Sequence, residues 1–267
     1  MNAEAVRIAW LFPDTLYLHG ERGNVLALKK MCQLAGMDVQ IDKINFDSVG
    51  FNPMDYDFIF CPPGEMSSFS EIIEFLKPKK DLLRAFIDFS NPMLVTGTSI
   101  GLWGKSILRS DGTTIEGLEI INIEVSENDV VYGDDLYFTC NLEGCQHPIF
   151  GSQIQMMDIL LGKDVDAFGE LYYGYGNHGG NTLEGALVDN AVFTNTLGPV
   201  LALNPWLTQA FVEIIAKKKG IVLDPSFHPD MDIEEKSYRA KVRFTQEKQT
   251  NLSNCPVLNR AFENEEE

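Results

Sequence analysis

Residues 91–106 read NPMLVTGTSIGLWGKS, an apolar run broken by small residues and then resumed. Within it Gly97-Thr98-Ser99-Ile100-Gly101 fits the G-x-S-x-G pattern of serine hydrolases. There a sharp strand-to-helix turn lifts the hydroxyl off the sheet, so Ser99 is a candidate nucleophile. Cys61 closes another apolar run, DFIFC, and is a second candidate, with His178 of a glycine-rich loop as a possible base for either. Each residue also has a plain structural reading. Small residues are common in such turns, cysteine is often a core residue, and a histidine between Asn177 and Gly179 suits a turn.

The elements that must position these residues follow from periodicity. Residues 6–13 (VRIAWLFP) predict a buried first strand, and residues 24–35 predict a helix with Val25, Leu28, Cys32 and Ala35 on one face, stopped by Gly36. Residues 39–44 and 57–61 predict the second and third strands, the latter ended by Pro62 and Pro63. Helical pieces at 70–76 and 81–89 precede a fourth strand at 93–96. The spacing of Ile100, Leu102, Trp103 and Ile107 predicts a helix after the turn. This alternation implies an α/β fold, a mostly parallel sheet with helices on both faces.

From Ser110 onward, β-branched residues and turn dipeptides predict an antiparallel β segment, and LYYGYGNHGGNT (171–182) reads as a loop. Residues 191–195 and 200–203 are short apolar pieces around Leu197-Gly198-Pro199. A helix follows, with Asn204 as N-cap, Pro205 in its first turn, Lys217, Lys218 and Lys219 at its negative end, and Gly220 as terminator. The expected organisation is one domain over 1–222, then a docked charged helix and an acidic solvated tail over 223–267.

Composition narrows the function classes. The 267 residues are 45% hydrophobic, enough for a substantial core. With 21 Lys+Arg against 39 Asp+Glu the formal charge is −18, which argues against nucleic acid as a partner. Five cysteines without a C-x-x-C pair and four scattered histidines disfavour a disulfide framework and a metal site, and no cofactor motif stands out. No signal-peptide pattern and no long uncharged apolar run is present, which predicts a cytoplasmic protein without a membrane span.

Four stretches carry a family resemblance: LYLHGERGNVLAL (16–28), GKSILRSDGTTIEGL (104–118), Asn177-His178-Gly179-Gly180, and Gly198-Pro199 with the helix after it. In this order and spacing they resemble the class I glutamine amidotransferases, in the branch holding cobyric acid synthase glutaminase domains and the glutaminase subunit of lipid II isoglutaminyl synthase. The resemblance implies a flavodoxin-like sheet, an elbow cysteine that attacks the glutamine amide, a histidine base and backbone N–H groups that hold the oxyanion. It also implies a partner, a Mur-ligase-like amide synthetase, in cell-wall or cobalamin chemistry.

Carried onto this chain, the family pattern finds its chemistry missing. Ungapped extension from both sides sets Gly97 under the elbow cysteine, whereas moving Ser99 there deletes two residues and turns the following helix by about 200°. The base position reads Leu197. The oxyanion loop reads Cys61-Pro62-Pro63-Gly64, and proline has no N–H to donate. The expectation is therefore a pseudoenzyme subunit, with no catalytic residue. Against it stand a hydrolase using Ser99, an active glutaminase subunit with relocated Cys61 and His178, and a sensor crevice lined by Gly97, Thr98, Pro63, Gly64 and Leu197. Glu21 and Arg22 are read as surface charges.

Overall fold

The computed structural model describes residues 5–145, 147–179, 181–224 and 226–253. Gly180, Pro225 and the acidic tail lie outside the described residues. The chain divides into two units, Met1–Asp230 and Met231–Glu267.

The first unit begins with β1 (Val6–Leu11), α1 (Arg22–Leu34), β2 (Val39–Ile44), β3 (Phe58–Cys61), α2 (Phe69–Leu76), α3 (Lys80–Asp88) and β4 (Met93–Thr96). It continues through β5 (Ser106–Leu108), β6 (Thr114–Glu116), β7 (Ile123–Phe138), β8 (Ile149–Leu161), β9 (Gly169–Tyr173), β10 (Leu183–Glu184), β11 (Ala186–Val188), β12 (Ala191–Thr194) and β13 (Thr196–Leu197). Two helices close it, α4 (Val200–Leu203) and α5 (Pro205–Lys219).

The first sheet has the order β11-β12-β4-β3-β1-β2 and is parallel except for its β11 edge. Every residue of β3 (FIFC) and β4 (MLVT) is buried, the pattern of central parallel strands covered on both faces. Register brings Cys61 opposite Val95 and Thr96 opposite Thr194, so the carboxyl ends of β3, β4 and β12 lie side by side. The mostly parallel α/β fold expected from the alternating pattern is thus present.

In the second, largely antiparallel sheet the order is β10-β9-β7-β5-β6, and β8 pairs with both β7 and β13. The two sheets share one core, in which Val95, Ile100, Trp103 and Phe193 meet Ile107, Ile123, Val125 and Met157.

Four local expectations need correction. No α-helix follows the turn after β4. Residues Gly97–Leu102 form a 3-10 segment, and Ile107 belongs to β5. A side chain on Gly101 would stand 2.6 Å from Ile107 Cδ1 and one on Gly104 2.7 Å from Ile123 Cγ1, so these glycines let the second sheet press against the turn where a helix would otherwise extend. Part of the expected 171–182 loop is strand β9. The apolar piece 200–203 is one helical turn. Finally, the Asn204 side chain does not cap α5: it bonds Phe150 N–H and Phe150 C=O, tying the helix start to β8. Gly220 does end α5, at φ 66°, in the left-handed region.

The second unit holds α6 (Asp232–Ser253). Its first turn carries Asp232, Glu234 and Glu235, which suit the positive end of the helix dipole, and Arg239 pairs with Glu235 at 3.2 Å. No helix among the described residues is long and apolar enough to cross a membrane.

Candidate functional site

Gly97 is the first residue beyond β4, with φ 58°. L-residues adopt that backbone at a penalty, and it is the strained corner on which a nucleophile elbow presents its side chain. Here the space above the corner is filled. A Cβ on Gly97 would stand 3.0 Å from Pro63 Cβ and 3.3 Å from Leu197 Cδ2. Gly97, Pro63 and Leu197, separated by up to 134 positions in sequence numbering, therefore converge on one point.

Pro63 is held there by the segment after β3. Gly64 N–H donates to Thr98 Oγ1 at 3.1 Å, and the Thr98 hydroxyl donates to Gly64 C=O at 2.6 Å. This reciprocal pair occupies the first N–H after the two prolines. Pro62 and Pro63 themselves carry none, so neither position can aim an amide hydrogen at the corner. Leu16 closes the other side, its Cδ2 2.3 Å from where a Gly64 Cβ would stand.

Leu197 is presented by the second sheet. Its strand β13 pairs with β8, Leu197 opposite Ser152, and Leu197 is 2% exposed. Burying such a side chain contributes about 1.5–3 kcal/mol, so the residue at this position packs the crevice.

Ser99 and Cys61 are both fully buried. The Ser99 hydroxyl donates to Pro62 C=O at 2.6 Å. Burial pushes the Cys61 thiol up to about 12, with Ser99 and Trp103 as its polar neighbours. Among the described residues no histidine is hydrogen-bonded to either residue. His178 is half-buried, with its Nε2 2.9 Å from Asn181 Nδ2. A buried, protonated thiol and a hydroxyl committed to a carbonyl are both poor nucleophiles.

Glu21 is not a surface charge: it is 1% exposed. Its Oε1 accepts from Gly198 N–H at 2.8 Å and its Oε2 from Asn24 Nδ2 at 2.6 Å. Asn24 Oδ1 in turn accepts from Leu201 N–H at 2.8 Å. Gly23 permits the approach, since a Cβ there would lie 2.5 Å from Pro199 Cγ. Glu-Arg-Gly-Asn at the start of α1 is thus the clamp that holds the Leu197-Gly198-Pro199 turn. Burial raises the Glu21 carboxyl to about 7, opposed by the bonds from Gly198 and Asn24. Arg22 is exposed, as expected.

Glu184 has no counterpart in the sequence reading. It is fully buried, and its Oε1 accepts from the Thr194 hydroxyl at 2.6 Å and from Asn195 N–H at 2.9 Å, while its Oε2 has no partner among the described residues. Burial raises its carboxyl to about 7 as well. It fixes the chain between β12 and β13, one step before Leu197. Glu21 lies in a stretch that carries the family resemblance, but its burial left no mark there, and a lone glutamate before a glycine offered no signal for Glu184. Among the described residues no group of three or more His, Cys, Asp or Glu is placed to hold a metal ion.

No family model matches the chain. It is 26% identical over 216 residues to the lipid II isoglutaminyl synthase (glutamine-hydrolyzing) subunit GatD of Streptococcus pneumoniae, covering 80% of this chain and 82% of that one. To the GatD subunit of Staphylococcus aureus it is 25% identical over 218 residues, covering 79% and 85%. A solved structure described as a glutamine amidotransferase superposes with a TM-score of 0.50 at 16% identity, over 78% of this chain and 98% of that one.

Proposed function

This chain is a glutamine amidotransferase-like relative of the GatD subunits, and from that premise we propose that it is a non-catalytic subunit. Its role in this reading is to bind and position an amide-synthetase partner, of the Mur-ligase-like kind that the family resemblance implies. The observation that carries the reading is the crowded corner: Gly97 presents bare backbone, and Pro63 and Leu197 stand 3.0 and 3.3 Å from where a nucleophile's Cβ would be. The missing amide hydrogens of Pro62 and Pro63 support it further, because loss of a single oxyanion donor lowers turnover by about two to three orders of magnitude. That both named relatives are described as subunits supports a partner.

The test is glutamine hydrolysis by the full chain, alone and with the amide synthetase that co-purifies from the native cell. No ammonia release above background is expected in either case. Release at roughly 1 s⁻¹ or more, abolished by changing Ser99, Cys61 or His178, would overturn the reading. A fluorophosphonate probe is expected to leave Ser99 unlabelled.

A further inference from the structure

A second cavity, about 400 Å³, opens beside the carboxyl ends of β1 and β2. It is lined by Trp10, Asp14, Leu16, Tyr17, Arg22 and Lys43, among others. Leu16 forms the wall between it and the filled corner, since its far side packs on Gly64. Ligands of open α/β sheets bind outside the carboxyl ends of the strands near the point where strand order reverses. In the order β2-β1-β3 that point falls between β1 and β3, so this cavity, with Trp10 of β1 and Lys43 of β2, lies on the neighbouring side of β1 at the same end of the sheet.

The polar groups at this cavity share one property. The Arg22 guanidinium makes no hydrogen bond or ion pair among the described residues, although acids outnumber bases 39 to 21 along the chain. Among the same residues Lys43 has no carboxylate partner either. Its Nζ lies over the Trp10 ring, 5.7 Å from the centroid. The Trp10 indole N–H, by contrast, is buried out of a ligand's reach and without an acceptor among the described residues. All of this unspent capacity is donor capacity. The acceptor at the rim, Asp14, already takes a bond from Asn45 Nδ2 at 2.7 Å. An indole and a phenol, Tyr17 being 66% exposed, supply flat apolar surface next to the two cations.

We propose that this cavity binds an oxyanion carried on a flat ring, of mononucleotide size, with the anion on Arg22 and Lys43 and the ring against Trp10 and Tyr17. Two cations within one cleft suit a phosphate or carboxylate, which guanidinium groups engage by paired hydrogen bonds. A volume of this order falls within the usual range of small-molecule sites. The site goes beyond the subunit reading and does not depend on it, because no residue of the Gly97 corner other than the Leu16 wall takes part.

Calorimetric titration of the full chain with AMP and UMP, against inorganic phosphate and adenosine as separate arms, tests the proposal. At least one nucleotide is expected to bind with a Kd below about 1 mM and more tightly than either fragment. Arg22→Ala and Lys43→Ala are each expected to weaken it about tenfold or more, the loss usual for a charged hydrogen bond. Both side chains are exposed, so circular dichroism should be unchanged. Lys217→Ala, on α5, should leave binding intact. Absence of saturable binding by both nucleotides overturns the proposal, as does binding that survives both substitutions. Phosphate binding as tightly as the nucleotides overturns the role of the ring, and adenosine doing so overturns that of the anion.

Discussion

At the corner Gly97, Pro63 and Leu197 decide together what the turn can do. Gly97→Cys would place sulfur there and is expected to produce no ammonia release. The new Cβ at φ 58° meets Pro63 and Leu197 at 3.0 and 3.3 Å. Left-handed strain of about 1–2 kcal/mol and overpacking of about 1–3 kcal/mol should together lower Tm by several degrees, read by calorimetry. Glu21 gives a pH dependence. Its carboxyl titrates near 7 in the folded chain against 4.5 ordinarily, so folding takes up a proton between those values. The stabilising contribution is full below about 4.5 and is lost as pH rises to about 7; Glu184 acts in the same direction. Urea midpoints should fall across that window. In Glu21→Gln the fall should be shallower by roughly half, even though the amide loses the bond from Asn24 and the variant is less stable overall. An unchanged slope would show that Glu21 does not titrate as placed.

Among the elements, α1 and the turn before α4 behave as one unit. Gly23→Ala would drive a methyl to 2.5 Å from Pro199 Cγ and should destabilise the chain by about 1–3 kcal/mol. Gly133→Ala, in the exposed part of β7 with nothing within 4 Å, should stay within about 0.5 kcal/mol. Paired thermal melts separate the two. These contacts also explain what could be read beforehand. Pro62, Pro63 and Gly97 declared themselves because proline and glycine carry their backbone consequences in their own chemistry. The strands of the first sheet did so through continuous apolar runs such as FIFC. Ile107 misled because residues at helical spacing need not share a helix once Gly101 and Gly104 let another sheet close in. Glu21 was invisible as a buried group because its partners, Gly198 and Asn24, include one 177 positions away. Asn204 looked like a cap, yet its side chain is drawn off by Phe150, a partner only tertiary folding supplies.

Across the whole molecule the charge of −18 sets the response to salt. Raising ionic strength from about 0.01 to about 0.15 M shortens the Debye length from about 30 Å to about 8 Å, which weakens self-repulsion more than it weakens short pairs such as Lys219 with Asp57 at 2.9 Å. A Tm increase of a few degrees is expected by scanning fluorimetry, and a decrease would mean that ion pairs dominate. The meeting of Pro63, which follows β3 in one sheet, with Leu197 of β13 in the other makes the corner a seam between the two sheets. A substitution at any one of Gly97, Pro63 and Leu197 is therefore felt by the other two, so paired substitutions here should depart from additivity, whereas a pair drawn from this seam and from the far end of α5 should not.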